Sequence, residues 1–131
     1  MNKDNRPLSP HLQIYKLPLV AITSILHRIT GVALYVGLIL LCGLISYYTY
    51  QVNIFDEGVP TCDCVVIKSI IYIVMFCWTF ALYYHLCNGI RHLFWDMGKG
   101  FEIQAARRSG VIVLITASLL TLASFYCVFI N

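Results

Sequence analysis

Three uncharged stretches of mainly apolar residues constrain this chain more than any other feature of its sequence. They run from Ile29 to Tyr50, from Ser69 to Ile90 and from Ser109 to Ile130, and each is 22 residues long. About 20 such residues in an α-helix cross the hydrocarbon core of a bilayer, which is ~30 Å thick. Each stretch can therefore span a membrane, and together they make up half of the 131 residues.

The composition and the short connections exclude several classes of protein. The chain is 60% hydrophobic and 11% charged, whereas soluble domains are roughly half apolar and about a quarter charged. Fewer than 30 residues separate consecutive apolar stretches, so a catalytic domain of typical size, about 50 residues or more, does not fit between them. The net charge of +3 comes from residues that flank the stretches and form no basic patch with interleaved aromatics, so nucleic acid is not an expected partner.

The distribution of charges predicts which side of the membrane each end faces. Lys and Arg gather before Ile29 and between the second and third stretches, whereas the first connection is rich in acids. The positive-inside rule then places the N-terminus inside and Asn131 outside. A polar N-terminus that runs into the first span predicts no cleavable signal peptide. The expected fold is an all-α membrane protein with an inner-side lead-in over 1–18, helices over about 19–50, 67–97 and 109–130, an outer loop over 51–66 and an inner connection over 98–108.

The six cysteines give no redox or metal motif. Four of them lie inside the apolar stretches, where a cysteine usually acts as a small buried hydrophobe. Cys62 and Cys64 form a C-x-C pair in the outer loop, a spacing that matches neither the C-x-x-C redox motif nor a complete zinc site. We therefore assign the cysteines no function.

One face of the second span carries ionisable side chains, whose burial in a membrane costs the most free energy. His85 lies six residues before Arg91, about 9 Å from the inner edge of the span at 1.5 Å per residue. His92 follows seven residues later and shares its face, together with Gly89. Gly89 would leave room for a flat, bulky group, and Asp96 is spaced to accept a hydrogen bond from His92.

A haem is the cofactor that suits this face best. Buried imidazoles are normal axial ligands of haem iron, and helical bundles hold cofactors between facing helices. Copper or zinc would need further ligands at the same depth. Because neither His27 nor His92 matches His85 in depth, the second axial ligand is expected from another chain. The alternative is a histidine that only bonds a neighbouring helix.

A second polar cluster begins the first helix. Ser24, His27 and Arg28 stand at i, i+3 and i+4, so a hydroxyl, an imidazole and a guanidinium share one face near the inner surface. A hydroxyl and a guanidinium in an apolar pocket can donate hydrogen bonds to a quinone carbonyl. Instead of a quinone, a haem carboxylate could accept the hydrogen bonds of these two groups. Arg28 alone could also simply anchor the helix at the headgroups.

Three segments together resemble a known family, the cytochrome b subunits that form the larger membrane anchor of succinate dehydrogenase. They occur in the family's order, and the likeness in number of spans and topology covers nearly the whole chain. The segments are Arg6-Pro7-Leu8, Ser24-x-x-His27-Arg28-x-Thr30 and His85-x-x-x-Gly89-Ile90-Arg91-His92-Leu93-x-Trp95-Asp96-x-Gly98.

The resemblance implies a role in electron transport. Its partners would be a flavoprotein subunit, an iron-sulfur subunit and a smaller membrane anchor subunit, and two anchors would together complete one helical bundle in the inner membrane. His85 would be an axial ligand of haem b, with Gly89 beside the haem and His27, Arg28 and His92 near its propionates. Ser24 and Arg28 would line the ubiquinone site. The chain itself would not oxidise succinate, since it carries neither a dinucleotide fingerprint nor a ferredoxin-type cysteine cluster.

Three alternatives stay open at this point. A fumarate reductase anchor that works with menaquinone would use similar helices. A small channel or transporter subunit could use His85, His92 and Asp96 as a proton relay. A purely structural anchor would use its histidines only to link helices.

Overall fold

The chain folds into three long helices that pack as a bundle. A computed structural model describes residues 16–55 and 65–130. Helix α1 spans Leu19–Phe55, α2 spans Val65–Asp96 and α3 spans Ile103–Ile130. By length and composition all three can cross a membrane. The all-α fold with three transmembrane helices is therefore confirmed. The motif at residue 6, the lead-in before residue 16, and Cys62 and Cys64 lie outside the described residues.

The helices extend beyond the uncharged stretches. Helix α1 continues to Phe55 rather than to about 50, and α2 runs from Val65 to Asp96 rather than from about 67 to 97. The largest difference is in α3, which begins at Ile103 rather than at about 109. Charge marks where a helix leaves the apolar core of a membrane, but it does not stop the helix. The inner connection is therefore shorter than expected and spans only residues 97–102.

Local sequence explains where the helices start and stop. The carbonyl of Pro18 accepts hydrogen bonds from the amides of Ala21 and Ile22 at 3.0 and 3.2 Å, which starts α1. At the end of α2, Gly98 adopts a φ of 76°, and the amide of Lys99 donates to the carbonyl of Phe94 at 3.1 Å. This is a Schellman cap, in which a left-handed glycine ends the helix. Gly100, with a φ of 83°, turns the chain toward α3.

Few side chains are buried inside the bundle. The apolar core comprises Tyr84, Ala106, Val113 and Ala117, while most large apolar side chains point outward, as expected for helices that face lipid or other subunits. Gly37 shows how closely the helices approach, because the ring of Trp78 on α2 fills the space that a Cβ would occupy there. The packing inside the described part of the chain thus depends on small residues and on polar contacts.

Candidate functional site

Two neighbouring faces of α2 carry polar residues in the half of the bundle next to the α2–α3 connection. The first face presents Tyr84, Asn88 and Arg91, which are 1%, 0% and 5% exposed. The second presents His85, Gly89 and His92, all half-buried. The faces differ because consecutive residues of an α-helix point about 100° apart.

The first face forms a network centred on Arg91. Its Nε donates to the hydroxyl of Ser109 at 3.0 Å, and its Nη2 donates to the carbonyl of Ala106 at 3.0 Å, both on α3. Its Nη1 donates to the hydroxyl of Thr23 on α1 at 2.9 Å and to Oδ1 of Asn88 at 3.1 Å. The guanidinium therefore links all three helices. We call Thr23, Tyr84, Asn88, Arg91, Ala106 and Ser109 the Arg91 network.

Other polar side chains of the network donate hydrogen bonds to the backbone of α1. The hydroxyl of Tyr84 donates to the carbonyl of Thr23 at 2.7 Å, and Nδ2 of Asn88 donates to the same carbonyl at 3.4 Å. The hydroxyl of Thr23 donates to the carbonyl of Val20 at 3.0 Å while it accepts from Arg91. The ring of Trp95 covers the guanidinium, with Cζ 4.1 Å from the ring centroid. Every polar side chain of this network has a partner, as buried polar groups require.

The second face brings together the three histidines that the sequence singled out. The rings of His27 and His85 stack with their centroids 4.0 Å apart and their planes 10° from parallel. The ring of His92 lies 5.1 Å from that of His27 at a tilt of 35°. We call these three residues the histidine cluster. It lies where α1 crosses α2. Because the rings of His27 and His85 stack, the expectation that His27 does not match His85 in depth is wrong.

One nitrogen of His85 is held by the backbone of α1. Its Nδ1 lies 3.2 Å from the carbonyl of His27 and 3.4 Å from the hydroxyl of Thr30. That hydroxyl itself donates to the carbonyls of His27 and Leu26, each at 2.9 Å. A hydrogen bond from Nδ1–H to a carbonyl fixes the tautomer of an imidazole and leaves the lone pair on Nε2. In the described part of the chain, the hydrogen bonds of His85 involve Nδ1 only, and Nε2 is the atom suited to bind a metal.

One nitrogen of His27 stands out because it has no partner. Its Nδ1 is buried and makes no hydrogen bond within residues 16–55 and 65–130. A buried polar atom without a partner costs about 1–3 kcal/mol. Such an atom in a folded structure calls for an explanation, and an absent ligand is one of them.

Two glycines make room for the cluster. A Cβ at Gly31 would lie 2.9 Å from Cε1 of His85, closer than real side chains approach, so the imidazole rests directly on the backbone of α1. A Cβ at Gly89 would lie 3.8 Å from Cε1 of His27. The flat group beside Gly89 in this structure is therefore the His27 ring.

The structure does not form the expected contact between His92 and Asp96. Asp96 is exposed at the end of α2, and no hydrogen bond joins the two side chains where the structure describes them. Instead the ring of His92 packs edge-on against Trp95, with the centroids 5.0 Å apart. The fourth residue along a helix lies within reach, but the His92 ring turns toward α1 and Trp95.

The pair expected to bind a quinone is Ser24 and Arg28 on α1. Ser24 is half-buried and Arg28 is exposed. Neither side chain makes a hydrogen bond within the described residues. In the described part of the chain, a hydroxyl and a guanidinium one turn apart on α1 are therefore available as hydrogen-bond donors.

Comparison with known proteins identifies the family. The family model described as "Succinate dehydrogenase/Fumarate reductase transmembrane subunit" matches residues 2–124. The chain is 43% identical over 119 residues to the "Succinate dehydrogenase cytochrome b556 subunit" of Rickettsia felis, covering 91% of this chain and 90% of the relative. The chain belongs to this family of succinate dehydrogenase and fumarate reductase transmembrane subunits.

Further relatives come from both bacteria and mitochondria. The protein of the same name from Paracoccus denitrificans is 41% identical over 129 residues, covering 96% of each chain. The human "Succinate dehydrogenase cytochrome b560 subunit, mitochondrial" is 41% identical over 118 residues, covering 85% of this chain and 64% of the human one. These findings confirm the resemblance to succinate dehydrogenase cytochrome b subunits that the sequence motifs indicated.

The Arg91 network was not predicted from the sequence. Arg91 served only as the charge that ended an apolar stretch, although it lies 5% exposed at the centre of the bundle. The signal was present, because Tyr84, Asn88 and Arg91 recur at i, i+4 and i+7 and so share one helical face. Thr23 gave no such signal, since a hydroxyl near the end of a membrane helix often bonds only its own backbone.

Proposed function

We propose that this chain is the larger membrane anchor of a succinate:quinone oxidoreductase, in which it ligates haem b and helps to form the ubiquinone site. Succinate would be oxidised on a flavoprotein subunit, and electrons would pass through an iron-sulfur subunit to ubiquinone. A smaller membrane anchor subunit would supply the second axial ligand and complete the helical bundle. The N-terminus would face the cytoplasm or mitochondrial matrix, and the C-terminus the opposite side of the inner membrane.

The single observation that carries this proposal is the way His85 is held. Its Nδ1 lies 3.2 Å from the carbonyl of His27, and a hydrogen bond there leaves the lone pair on Nε2, which could serve as a ligand. The ring lies against Gly31, so it has a fixed place. Among the described residues no group of three or more His, Cys, Asp or Glu side chains could hold a metal ion, which favours a prosthetic group that needs one ligand from this chain.

The remaining residues of the histidine cluster suit the edge of a haem. His27 offers a buried Nδ1 without a partner among the described residues, the ring of His92 lies 5.1 Å from that of His27, and Arg28 is the next residue of α1. Cationic and N–H groups are the natural partners of propionate carboxylates. When bound, haem b would supply a centre that takes up and releases one electron.

Ser24 and Arg28 are the residues of this chain that we assign to ubiquinone. Both can donate hydrogen bonds to a carbonyl oxygen, and neither donates to another described residue. Their position one turn apart on α1 places both donors on one surface. The pocket would be completed by the iron-sulfur subunit and the smaller anchor.

The haem assignment is tested by reduced-minus-oxidised visible spectra of the purified complex. We expect a b-type signal in the wild type that is lost or strongly changed in His85→Ala. Cys87→Ala is the control, because Cys87 lies on the same helix but packs against the cluster of Tyr84, Val113 and Ala117. An intact wild-type complex without a haem signal would refute the ligand assignment and favour a proton relay or a structural anchor.

The quinone assignment is tested by steady-state kinetics with a short-chain ubiquinone. Ser24→Ala and Arg28→Gln should raise KM for the quinone and leave succinate oxidation by a water-soluble artificial acceptor unchanged. Ser118→Ala is the matched control, since the Ser118 hydroxyl is exposed and donates to its own helix at the carbonyl of Leu114, 2.8 Å away. Equal KM values in all four proteins would rule out the assignment.

The predicted orientation has a separate test. Alkaline phosphatase fused after Asn131 should be active in a bacterial host, because this enzyme matures outside the cytoplasm. A fusion within the 97–102 connection should be inactive. The reverse pattern would contradict the proposed topology.

A further inference from the structure

The turn of α1 between Thr23 and His27 is fastened to α2 at both of its ends. At one end, the carbonyl of Thr23 accepts from the hydroxyl of Tyr84 at 2.7 Å. At the other end, the carbonyl of His27 lies 3.2 Å from Nδ1 of His85. Helical carbonyls have a second lone pair, so they can accept these side chains without losing their own helical bonds. Ser24 lies within this turn, and Arg28 follows it directly.

The same turn is also tied to α3, and Arg91 makes the connection. Its Nη1 donates to the hydroxyl of Thr23 at 2.9 Å, while its Nε and Nη2 donate to Ser109 and to the carbonyl of Ala106, each at 3.0 Å. Thr23 is 1% exposed, and its hydroxyl uses its proton on the carbonyl of Val20. Thr23 therefore has little freedom to move, and Ser24 is the next residue of the helix.

We propose that the Arg91 network is a positioning device for the quinone-binding turn of α1. Thr23 and Tyr84 set where Ser24 and Arg28 stand, although neither touches the quinone. The inference rests on the proposed function of Ser24 and Arg28. Its physical basis is that catalysis and binding depend on placement, and a displacement of about 1 Å can cost up to about 100-fold in rate.

Two adjacent tyrosines of α2 allow a matched test. Both donate or share a hydrogen bond across helices at 2.7 Å, but Tyr84 bonds the carbonyl of Thr23 on α1, whereas Tyr83 bonds the hydroxyl of Ser124 on α3. Tyr84→Phe and Tyr83→Phe each remove one hydroxyl from the same helix. We expect Tyr84→Phe to raise KM for a short-chain ubiquinone about three- to tenfold, the range that corresponds to one hydrogen bond. We expect Tyr83→Phe to leave KM unchanged.

A second pair tests Thr23 by loss and rescue. Thr23→Val keeps the shape of the side chain but removes the acceptor of Arg91, and it should raise the quinone KM by a similar factor. Thr23→Ser keeps the hydroxyl and should restore the wild-type value. A purely structural role would lower the amount of assembled complex and kcat, but it would not raise KM in Thr23→Val and restore it in Thr23→Ser.

The outcomes separate this inference from the function on which it rests. If Ser24→Ala raises the quinone KM and neither Tyr84→Phe nor Thr23→Val does, the positioning role is refuted while the quinone site stands. An equal rise in Tyr83→Phe and Tyr84→Phe would also refute it, because the effect would then be a general loosening of α2. If Ser24→Ala itself has no effect, the proposed quinone site has failed.

Discussion

The two polar faces of α2 lie side by side and yet differ in how completely their atoms are paired. On the face of Tyr84, Asn88 and Arg91, the side chains find their partners within this chain, and all three are at most 5% exposed. On the face of His85 and His92, the ring of His85 stacks on that of His27, and one buried nitrogen of His27 has no partner among the described residues. Among the described residues, the polar side chains of the first face are fully paired, whereas beside the second face one buried nitrogen has no partner.

This difference teaches how a small membrane subunit divides its polar residues. Inside a membrane an unpaired polar group is costly, so a residue that serves only the fold has its partners built in. A residue that serves a ligand must keep an atom free until the ligand arrives. The degree of internal pairing therefore distinguishes the two roles better than residue type does, since both faces are polar and lie at similar depth. The following four predictions test that distinction.

The largest effect is expected from Arg91→Met. The substitution removes four hydrogen bonds, three of which join α2 to α1 and α3. We expect the free energy of unfolding of the detergent-solubilised complex to fall by about 2–5 kcal/mol. Arg107→Met is the control, because Arg107 is exposed near the start of α3. Thermal unfolding that is equal in both variants would contradict the structural role of the first face.

Gly31→Ala should act on the second face. A Cβ there would lie 2.9 Å from Cε1 of His85, so the imidazole has to move. We expect a changed haem spectrum and a loss of stability of about 1–3 kcal/mol, which is usual for overpacking. Gly43→Ala is the matched control, since no atom lies within 4 Å of its added Cβ. A spectrum identical to wild type in Gly31→Ala would contradict the placement of His85.

Phenylalanine substitutions on the two faces should change the free energy of unfolding in opposite directions. In complex prepared from haem-deficient cells, His27→Phe removes a buried nitrogen without a partner and should raise the free energy of unfolding by up to about 1–3 kcal/mol. Tyr84→Phe removes a satisfied hydrogen bond and should lower it by about 0.6–2 kcal/mol. Chemical denaturation measures both. Two changes of the same sign would break the distinction between the faces.

The smallest effect is expected from Asp96→Asn. The carboxylate is exposed and makes no hydrogen bond to His92 in the described structure. We expect stability within about 0.5 kcal/mol of the wild type and an unchanged haem spectrum. A changed spectrum would instead support the hypothesis from the sequence that Asp96 orients His92.

The sequence was sufficient to predict the architecture and the members of the histidine cluster. Three apolar stretches of bilayer length leave few alternatives to three spans, and the spacing of His85, Gly89 and His92 placed them on one face. Their approach to His27 required the crossing of α1 and α2. That crossing depends on contacts such as Trp78 against Gly37, which one-dimensional spacing does not specify.

The Arg91 network was not predicted for a different reason, although its three members on α2 share one helical face in the sequence. A charge at the end of an apolar stretch usually faces the headgroups, so Arg91 looked like a marker of the membrane surface. Its burial follows from α3, which begins at Ile103 and brings Ser109 and the carbonyl of Ala106 beside the guanidinium. The apolar pattern gave no sign that α3 begins so early.

The short connection between α2 and α3 bears on how the protein is made. Six residues, 97–102, reach at most about 20 Å when fully extended, less than the thickness of the hydrocarbon core. The joined ends of α2 and α3 must therefore lie on the same side of the bilayer, so the two helices form a hairpin with Arg91 near the turn. If α1 were inserted the other way round, Thr23 would lie at the opposite surface, and the guanidinium would lose its only partner on α1. The contact between Arg91 and Thr23 therefore requires α1 to run antiparallel to α2, and it stabilises that arrangement of the two helices over its inverse.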